Sequence, residues 1–333
     1  MTQPEVSLTG AARKPAGLPH GHTRYVPAAD CFHRLKMMVT ACLLLCVSLT
    51  THAESIEVID DTGFRVVLPQ PVTRIVSLAP HLTELMFSIG ASDKIVATVQ
   101  SADYPEAATK IPRVGDSARI DLERVIALHP DLVLVWQSSN GSALATRLRE
   151  LNLPVFVSEP VSLAQIESTL RVLGKVTGRQ HEANTSADAF AARVKTLQRP
   201  APGQNPLRVF YQIWGQPIFT VGGQHLISEI IQMCGGENIF SHLPALAGQV
   251  TVESVLAANP DLIIASGNDD TRPEWLDEWR HWPQLPAVQQ QQLHFIPPAL
   301  IQRHTLRVLE GVGMMCGMIG GSYKQQGGMK MLQ

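Results

Sequence analysis

The sequence predicts an α/β protein of two similar lobes, each with a mainly parallel central sheet, joined by one long helix. Three observations carry this. Strand-like and helix-like patterns alternate through most of the chain, the signature of βαβ units. The alternation stops once, between Ser162 and about Gln198, where apolar residues fall at helical spacing. One helix–strand segment occurs twice, on either side of that stretch.

In the first lobe, Arg74–Ala79 is a short β-branched run, followed by an amphipathic helix over His81–Ile89 that Gly90 closes. Further strands are predicted at Ile95–Val99, Asp131–Trp136 and Pro154–Ser158, with a helix near Ser142–Leu151. In the linking stretch Leu163, Ile166, Leu170, Leu173, Ala187, Phe190 and Val194 keep helical spacing, with a kink near Gly178, and PAPGQNP (Pro200–Pro206) ends it. The second lobe reads strand Arg208–Trp214, helices Gln224–Met233 and Thr251–Ala258, strand Asp261–Ser266, helix Glu274–Trp282, strand Gln292–Ile296 and helix Thr305–Cys316. Residues 317–333 are Gly-rich and aperiodic, and little fold is expected there. The predicted organisation is therefore 1–53 leader, 54–160 first lobe, 161–200 linking helix, 201–316 second lobe, 317–333 frayed tail.

The leader holds one apolar run, Val39–Thr50, preceded by Arg34 and Lys36 and followed by Thr51-His52-Ala53. It is too short to span a bilayer and has the three parts of a secretory signal, so cleavage is expected after Ala53. Residues 1–36 fit poorly ahead of a signal, and a start at Met37 or Met38 would remove them. Cleavage takes away Cys31, Cys42 and Cys46 and leaves Cys234 and Cys316. An even count in an exported chain favours one disulfide over two buried thiols. The chain is 45% hydrophobic and 17% charged with a formal charge of −2, which speaks against disorder and against a nucleic-acid surface.

The internal echo pairs DLERVIALHPDLVL (Asp121–Leu134) with TVESVLAANPDLII (Thr251–Ile264). Each copy is a short helix ended before an X-Pro and followed by a strand. Glu123 and Glu253 occupy matching places near helix starts, where the dipole favours a carboxylate. Each could serve only its own helix. A pair at equivalent places also suits a two-fold symmetric partner with basic sockets.

A ligand of an open α/β sheet binds beyond the carboxyl ends of the strands. Those ends present His81 and Trp136 in one lobe, with the loop Ser101–Tyr104, and Trp214 and the segment Pro297–Thr305 in the other. Trp136 and Trp214 either cover the core or offer flat apolar surface to a large, partly planar ligand. Arg303 could hold an amide or phosphate oxygen. His81 and His304 without ligand spacing are weak support for a metal. No nucleophile elbow, P-loop, zincin or dinucleotide motif occurs, so no catalytic residue is assigned.

Six segments carry a resemblance: RIVSLAPHLTEL (Arg74–Leu85), SADYP (Ser101–Pro105), LERVIALHPDLVLVW (Leu122–Trp136), CGGENIF (Cys234–Phe240), VESVLAANPDLII (Val252–Ile264) and QRHTLR (Gln302–Arg307). From about Arg74 to Cys316 the chain resembles the helical-backbone (class III) periplasmic substrate-binding proteins of ABC importers, and within them the cobalamin-binding branch. The resemblance implies limited hinge motion and a Cys234–Cys316 disulfide. It implies that Glu123 and Glu253 dock on arginines of a dimeric inner-membrane permease. It places cobalamin, as cargo and not as a cofactor, near Ser101, Tyr104, Trp136, Trp214 and Ala299, Leu300, Ile301, Gln302 and Arg303. Better-known members carry Tyr at Ser101, Trp at Ser117 and near Ala247, an acid at Ala299, Glu at Gln302 and Pro at Leu306.

The expected function is periplasmic capture of cobalamin or a related corrinoid, by a monomer that makes and breaks no bond and needs no cofactor. The alternatives are an iron chelate (haem or a ferric siderophore) on the same scaffold, an exported enzyme built on Arg303, His304 and His81, and a metal-ion receptor.

Overall fold

The computed structural model describes residues 55–116, 118–198 and 205–330. The leader, the signal segment with its cleavage after Ala53, Ser117, residues 199–204 with most of the expected PAPGQNP break, and the last three residues lie outside the described residues. Ala53–Gln333 clusters as one compact unit.

The first lobe opens with a hairpin that the sequence patterns do not announce, β1 (Ile56–Ile59) and β2 (Arg65–Leu68), paired antiparallel. Asp60 holds its turn, accepting from the Thr62 and Phe64 N–H groups at 3.0 and 2.9 Å. The other Asp60 oxygen accepts from Arg149, which ties the hairpin to the lobe. Then come β3 (Ile75–Ser77), α1 (Pro80–Ser88), β4 (Ile95–Thr98), α2 (Leu122–Ala127), β5 (Leu132–Trp136), α3 (Ser142–Glu150) and β6 (Val155–Ser158). The sheet order is β4-β3-β5-β6, all parallel. Continuous apolar runs such as LVLVW fit strands covered on both faces.

The linking stretch is helical, but the single kinked helix expected over 161–200 is in fact two helices, α4 (Leu163–Thr177) and α5 (Gln180–Leu197). Gly178 ends α4 in the left-handed region, φ +72°, where the chain turns. The helices then pack closely. A Cβ on Gly174 would stand 2.3 Å from the Ala183 Cβ, and Arg171 of α4 reaches Asn184 and Asp188 of α5. The 18-residue α5 is the helix that leads into the second lobe.

That lobe contains β7 (Leu207–Trp214), β8 (Phe219–Val221), α6 (Leu226–Met233), β9 (Gly236–Asn238), β10 (Ala247–Gln249), α7 (Val252–Ala258), β11 (Leu262–Ala265), α8 (Pro286–Gln289), β12 (Leu293–Phe295), α9 (Pro298–Ile301) and α10 (Val308–Lys330). Its sheet runs β10-β8-β7-β11-β12, with β9 also on β7. The β9, β7, β11 and β12 pairings are parallel, and β8 and β10 add an antiparallel edge. The segment 274–281 is a 3-10 helix. The Cys234–Cys316 disulfide joins the end of α6 to α10.

The frayed tail expected from 317 is corrected: α10 continues to Lys330. Ile319 and Ser322 are buried, and the Tyr323 hydroxyl donates to the Gly235 carbonyl and accepts the Leu207 N–H. Tertiary contacts override the low helix propensity of Gly317, Gly320 and Gly321.

One apolar cluster is shared by both lobes. It runs from Leu82 and Phe156 through Phe190 on α5 to Tyr211, Ile301 and Val312. Each lobe also has its own outer core, around Val133 and Val157 in the first and Phe210 and Ile263 in the second. An opening that parted this shared core would expose buried Leu and Ile side chains, each worth about 1.5–3 kcal/mol.

Candidate functional site: the interlobe cleft

The carboxyl ends of β5, β7, β11 and β12 meet the loops after β4 and α9 around a cavity of about 860 Å³. Its apolar cover is Trp136, Trp214, Tyr104, Ile213 and Pro298. Trp136 stands at the last position of β5, where a five-residue π turn takes the chain away, and Trp214 ends β7. Trp214 is 42% exposed, much for a Trp, and its indole N–H donates to the Gln216 carbonyl at 3.1 Å. The Trp136 indole N–H points at Glu159, at a long 3.4 Å. Both rings therefore face the cleft with their polar edges turned to the protein.

Two arginines from the second lobe grip carboxylates of the first. Arg303 binds Asp103 through both terminal nitrogens, at 2.5 and 3.0 Å. Hydrogen bonding from Arg303 is the main reason the Asp103 carboxyl stays below its ordinary value. Arg307 binds Glu84 of α1 through Nε and Nη2, at 2.8 and 2.9 Å. That bond raises the Arg307 pKa further. The Arg307 guanidinium also lies 3.8 Å from the Tyr104 ring centroid. Glu84 is 6% exposed while Arg307 is only part-buried at the cleft wall, so the carboxylate is the member that depends on the pair, and removing Arg307 would leave a buried charge without its partner. The Asp103 pair is open to water on the carboxylate side and contributes about 1 kcal/mol or less.

Beneath the cleft His81 of the first lobe and His304 of the second pack edge to face, 5.6 Å apart, against Trp136 and beside His225. His81 Nε2 and His304 Nδ1 have no hydrogen-bond partner among the described residues. Burial holds all three histidines neutral: His304 down at about 3, His225 at about 4, and His81 well below the usual value. Among the described residues no three or more His, Cys, Asp or Glu groups come together to hold a metal ion.

Of the residues expected to bind ligand, Ser101, Tyr104, Trp136, Trp214, Ala299, Gln302 and Arg303 line the cavity. His81 and Ile301 do not: they are 2% and 0% exposed and belong to the floor. Leu300 also falls outside the lining. A residue's place beyond a strand end does not say which way its side chain turns. Asp103, Arg307, Asn268, Asp269 and Asp270 also line it, and no pattern in the sequence singles them out. Asp103 stands inside the SADYP segment, and a loop arginine as prominent as Arg303 is itself a reason to look for a carboxylate partner.

Glu123 and Glu253 are both exposed in the first turns of α2 and α7. Asp121 caps α2 by accepting the Arg124 N–H, and Thr251 caps α7 through a capping box with Ser254. At Glu253, its own backbone N–H and then the Thr251 hydroxyl hold the carboxyl below its usual value.

The family model for periplasmic binding proteins matches residues 75–300. The chain is 37% identical over 213 residues to the vitamin B12-binding protein of Yersinia pestis, covering 63% of this chain and 76% of that one. It superposes on the crystal structure of the periplasmic vitamin B12 binding protein of Vibrio cholerae with a TM-score of 0.70 at 31% identity, over 77% of this chain and 100% of that one. A periplasmic haem-binding protein from Pseudomonas aeruginosa, at 19% identity and TM-score 0.64 over 74% of this chain and 92% of that one, shares the fold.

Proposed function

The chain belongs to the periplasmic binding protein family, and from that premise we propose that it captures cobalamin between its lobes and delivers it to an ABC permease. The observation that carries this is the likeness to vitamin B12-binding relatives over most of both chains, at an identity well above that of the haem-binding neighbour. The cleft agrees with it. A corrin is broad, flat and apolar on its faces, with carboxamide arms at its edge. Trp136, Trp214 and Tyr104 supply flat surface, while Ser101, Gln302 and Arg303 supply hydrogen-bonding groups at the rim. In this reading the protein is exported, its signal is cleaved near Ala53, and it acts as a monomeric carrier with no chemical step. Glu123 and Glu253 would meet basic sockets of a dimeric permease, giving orientation more than affinity.

The test is a calorimetric titration of Glu54–Gln333, produced in an oxidising compartment, with cyanocobalamin, haem and a ferric siderophore in parallel. One-to-one binding of the corrinoid, tighter than either iron chelate, is the expected result. A folded protein that takes haem or the siderophore and ignores cobalamin would move the cargo to the iron chelates.

A further inference from the structure

The cleft has no uncommitted positive charge among its described lining residues. It holds two guanidiniums, and each is already bound at two points by a carboxylate, Arg303 by Asp103 and Arg307 by Glu84. No lysine or histidine joins the lining. Two further carboxylates do, Asp269 and Asp270, on the loop that follows β11. Both are exposed, and Asp269 is set in its turn by accepting the Thr271 N–H at 2.9 Å. The lining thus sets three carboxylates against two guanidiniums, with Glu84 behind them as a fourth acid.

A cleft of this sign repels an anion, and because Asp269 and Asp270 are exposed the repulsion is screened by salt. It also leaves the arginines useful in one way. Pairing with Asp103 occupies two of the five N–H groups of Arg303, and the remainder can donate to a neutral carbonyl oxygen without offering net charge. That suits carboxamide arms and does not suit carboxylates or catecholates.

We infer that the cleft selects its cargo by charge: it takes a neutral or cationic corrinoid with intact carboxamide arms and turns away anionic chelates, with Asp269 and Asp270 as specificity-determining residues. This rests on the corrinoid reading above. Haem with two propionates, a trianionic ferric catecholate and a corrinoid with a hydrolysed arm share the feature that is rejected. A cationic corrinoid, such as one with water in place of cyanide on cobalt, is favoured over its neutral counterpart.

The experiment changes charge while holding shape. Wild type and the double variant Asp269→Asn, Asp270→Asn are titrated with cyanocobalamin and with its monocarboxylate, in which one carboxamide is hydrolysed to an acid. Each titration is run at low and at physiological salt. The readout is the ratio of the two affinities, so a loss common to both ligands cancels. Wild type should prefer the amide form by about fivefold to tenfold at low salt, as two charges a few ångströms away would impose. The preference should shrink as salt rises and fall to about twofold or less in the double variant. Thermal melts, and the single variant Asp270→Asn, guard against a misfolded loop. Equal affinity of wild type for both forms, or a preference that survives in the double variant, would overturn charge selection and leave the corrinoid reading standing. Failure of wild type to bind either corrinoid would overturn that reading itself, and the charge proposal with it.

Discussion

Around the start of α2, Arg113, Arg119 and Arg124 alternate with Asp116, Asp121 and Glu123 about a polar hollow. Around the start of α7, the equivalent place in the other lobe, the hollow is walled by Trp275, Trp279 and Trp282 with Pro217, Ile218 and Val250. Beneath these unlike surfaces the anchors are the same. Arg74 donates twice to the Leu128 carbonyl, and Arg208 twice to that of Ala258. Asp131 accepts the Arg74 N–H, and Asp261 that of Arg208. His129 and Asn259 both turn through positive φ, at 45° and 48°. Val125 and Val255 are both fully buried. The backbone of the turn before each strand leaves few residues that satisfy it, so the inner half of the repeat persists. The outer half answers only to water and to partners, and there the lobes have diverged.

The largest expected effect lies at the seam, where the lobes meet instead of repeating. His304 and His225 sit at about 3 and about 4 in the fold, against 6.5 in the unfolded chain. Below 6.5 the unfolded chain gains protons that the folded one refuses, so stability falls with pH from there toward 4. At about pH 5 the loss should be about 2 kcal/mol for each of the two. Urea denaturation at neutral and mildly acid pH measures it, and His304→Gln should remove its own share. An unchanged profile in that variant would mean the acid sensitivity comes from elsewhere.

Asp131→Ala and Asp261→Ala test the shared anchors. Each should cost about 2 kcal/mol, since backbone donors lose a charged acceptor. A loss confined to one lobe would break the equivalence of the two anchors.

The smallest effects concern the glutamates. Glu123→Ala and Glu253→Ala should each weaken binding to permease in nanodiscs by about tenfold, near 1.4 kcal/mol. Equal losses would assign docking to the common helix start, and unequal losses to the unlike hollows beside it. No loss in the double variant would remove both from the interface.

Much of the architecture could be read from periodicity, because buried parallel strands are apolar runs and helices between them carry caps. The strand ends at Trp136 and Trp214 and the repeat itself leave marks in the residues. Three things did not. The hairpin of β1 and β2 is only four residues a side and depends on Asp60 reaching Arg149 of α3, a partner remote in sequence. The part of α10 from Ile319 to Tyr323 is held by packing and hydrogen bonds that a glycine-rich stretch conceals. The cleft acids sit singly on loops, where no spacing rule applies and only the fold brings Asp103 to Arg303. His81 and Ile301 are a different case: each stands in a helix at the cleft end, α1 and α9, on the side turned into the core and not toward the cavity.

The five tryptophans of the chain fall into two groups. Trp136 and Trp214 line the cleft, and Trp275, Trp279 and Trp282 wall the hollow beside α7. The protein therefore carries intrinsic fluorophores at two places, the cleft and the hollow beside α7. A cargo that absorbs visible light would quench the first pair by energy transfer, while contact at α7 would shift the emission of the trio. Replacing the trio with phenylalanine would leave Trp136 and Trp214 as the only indole reporters of what enters the cleft, with no label attached.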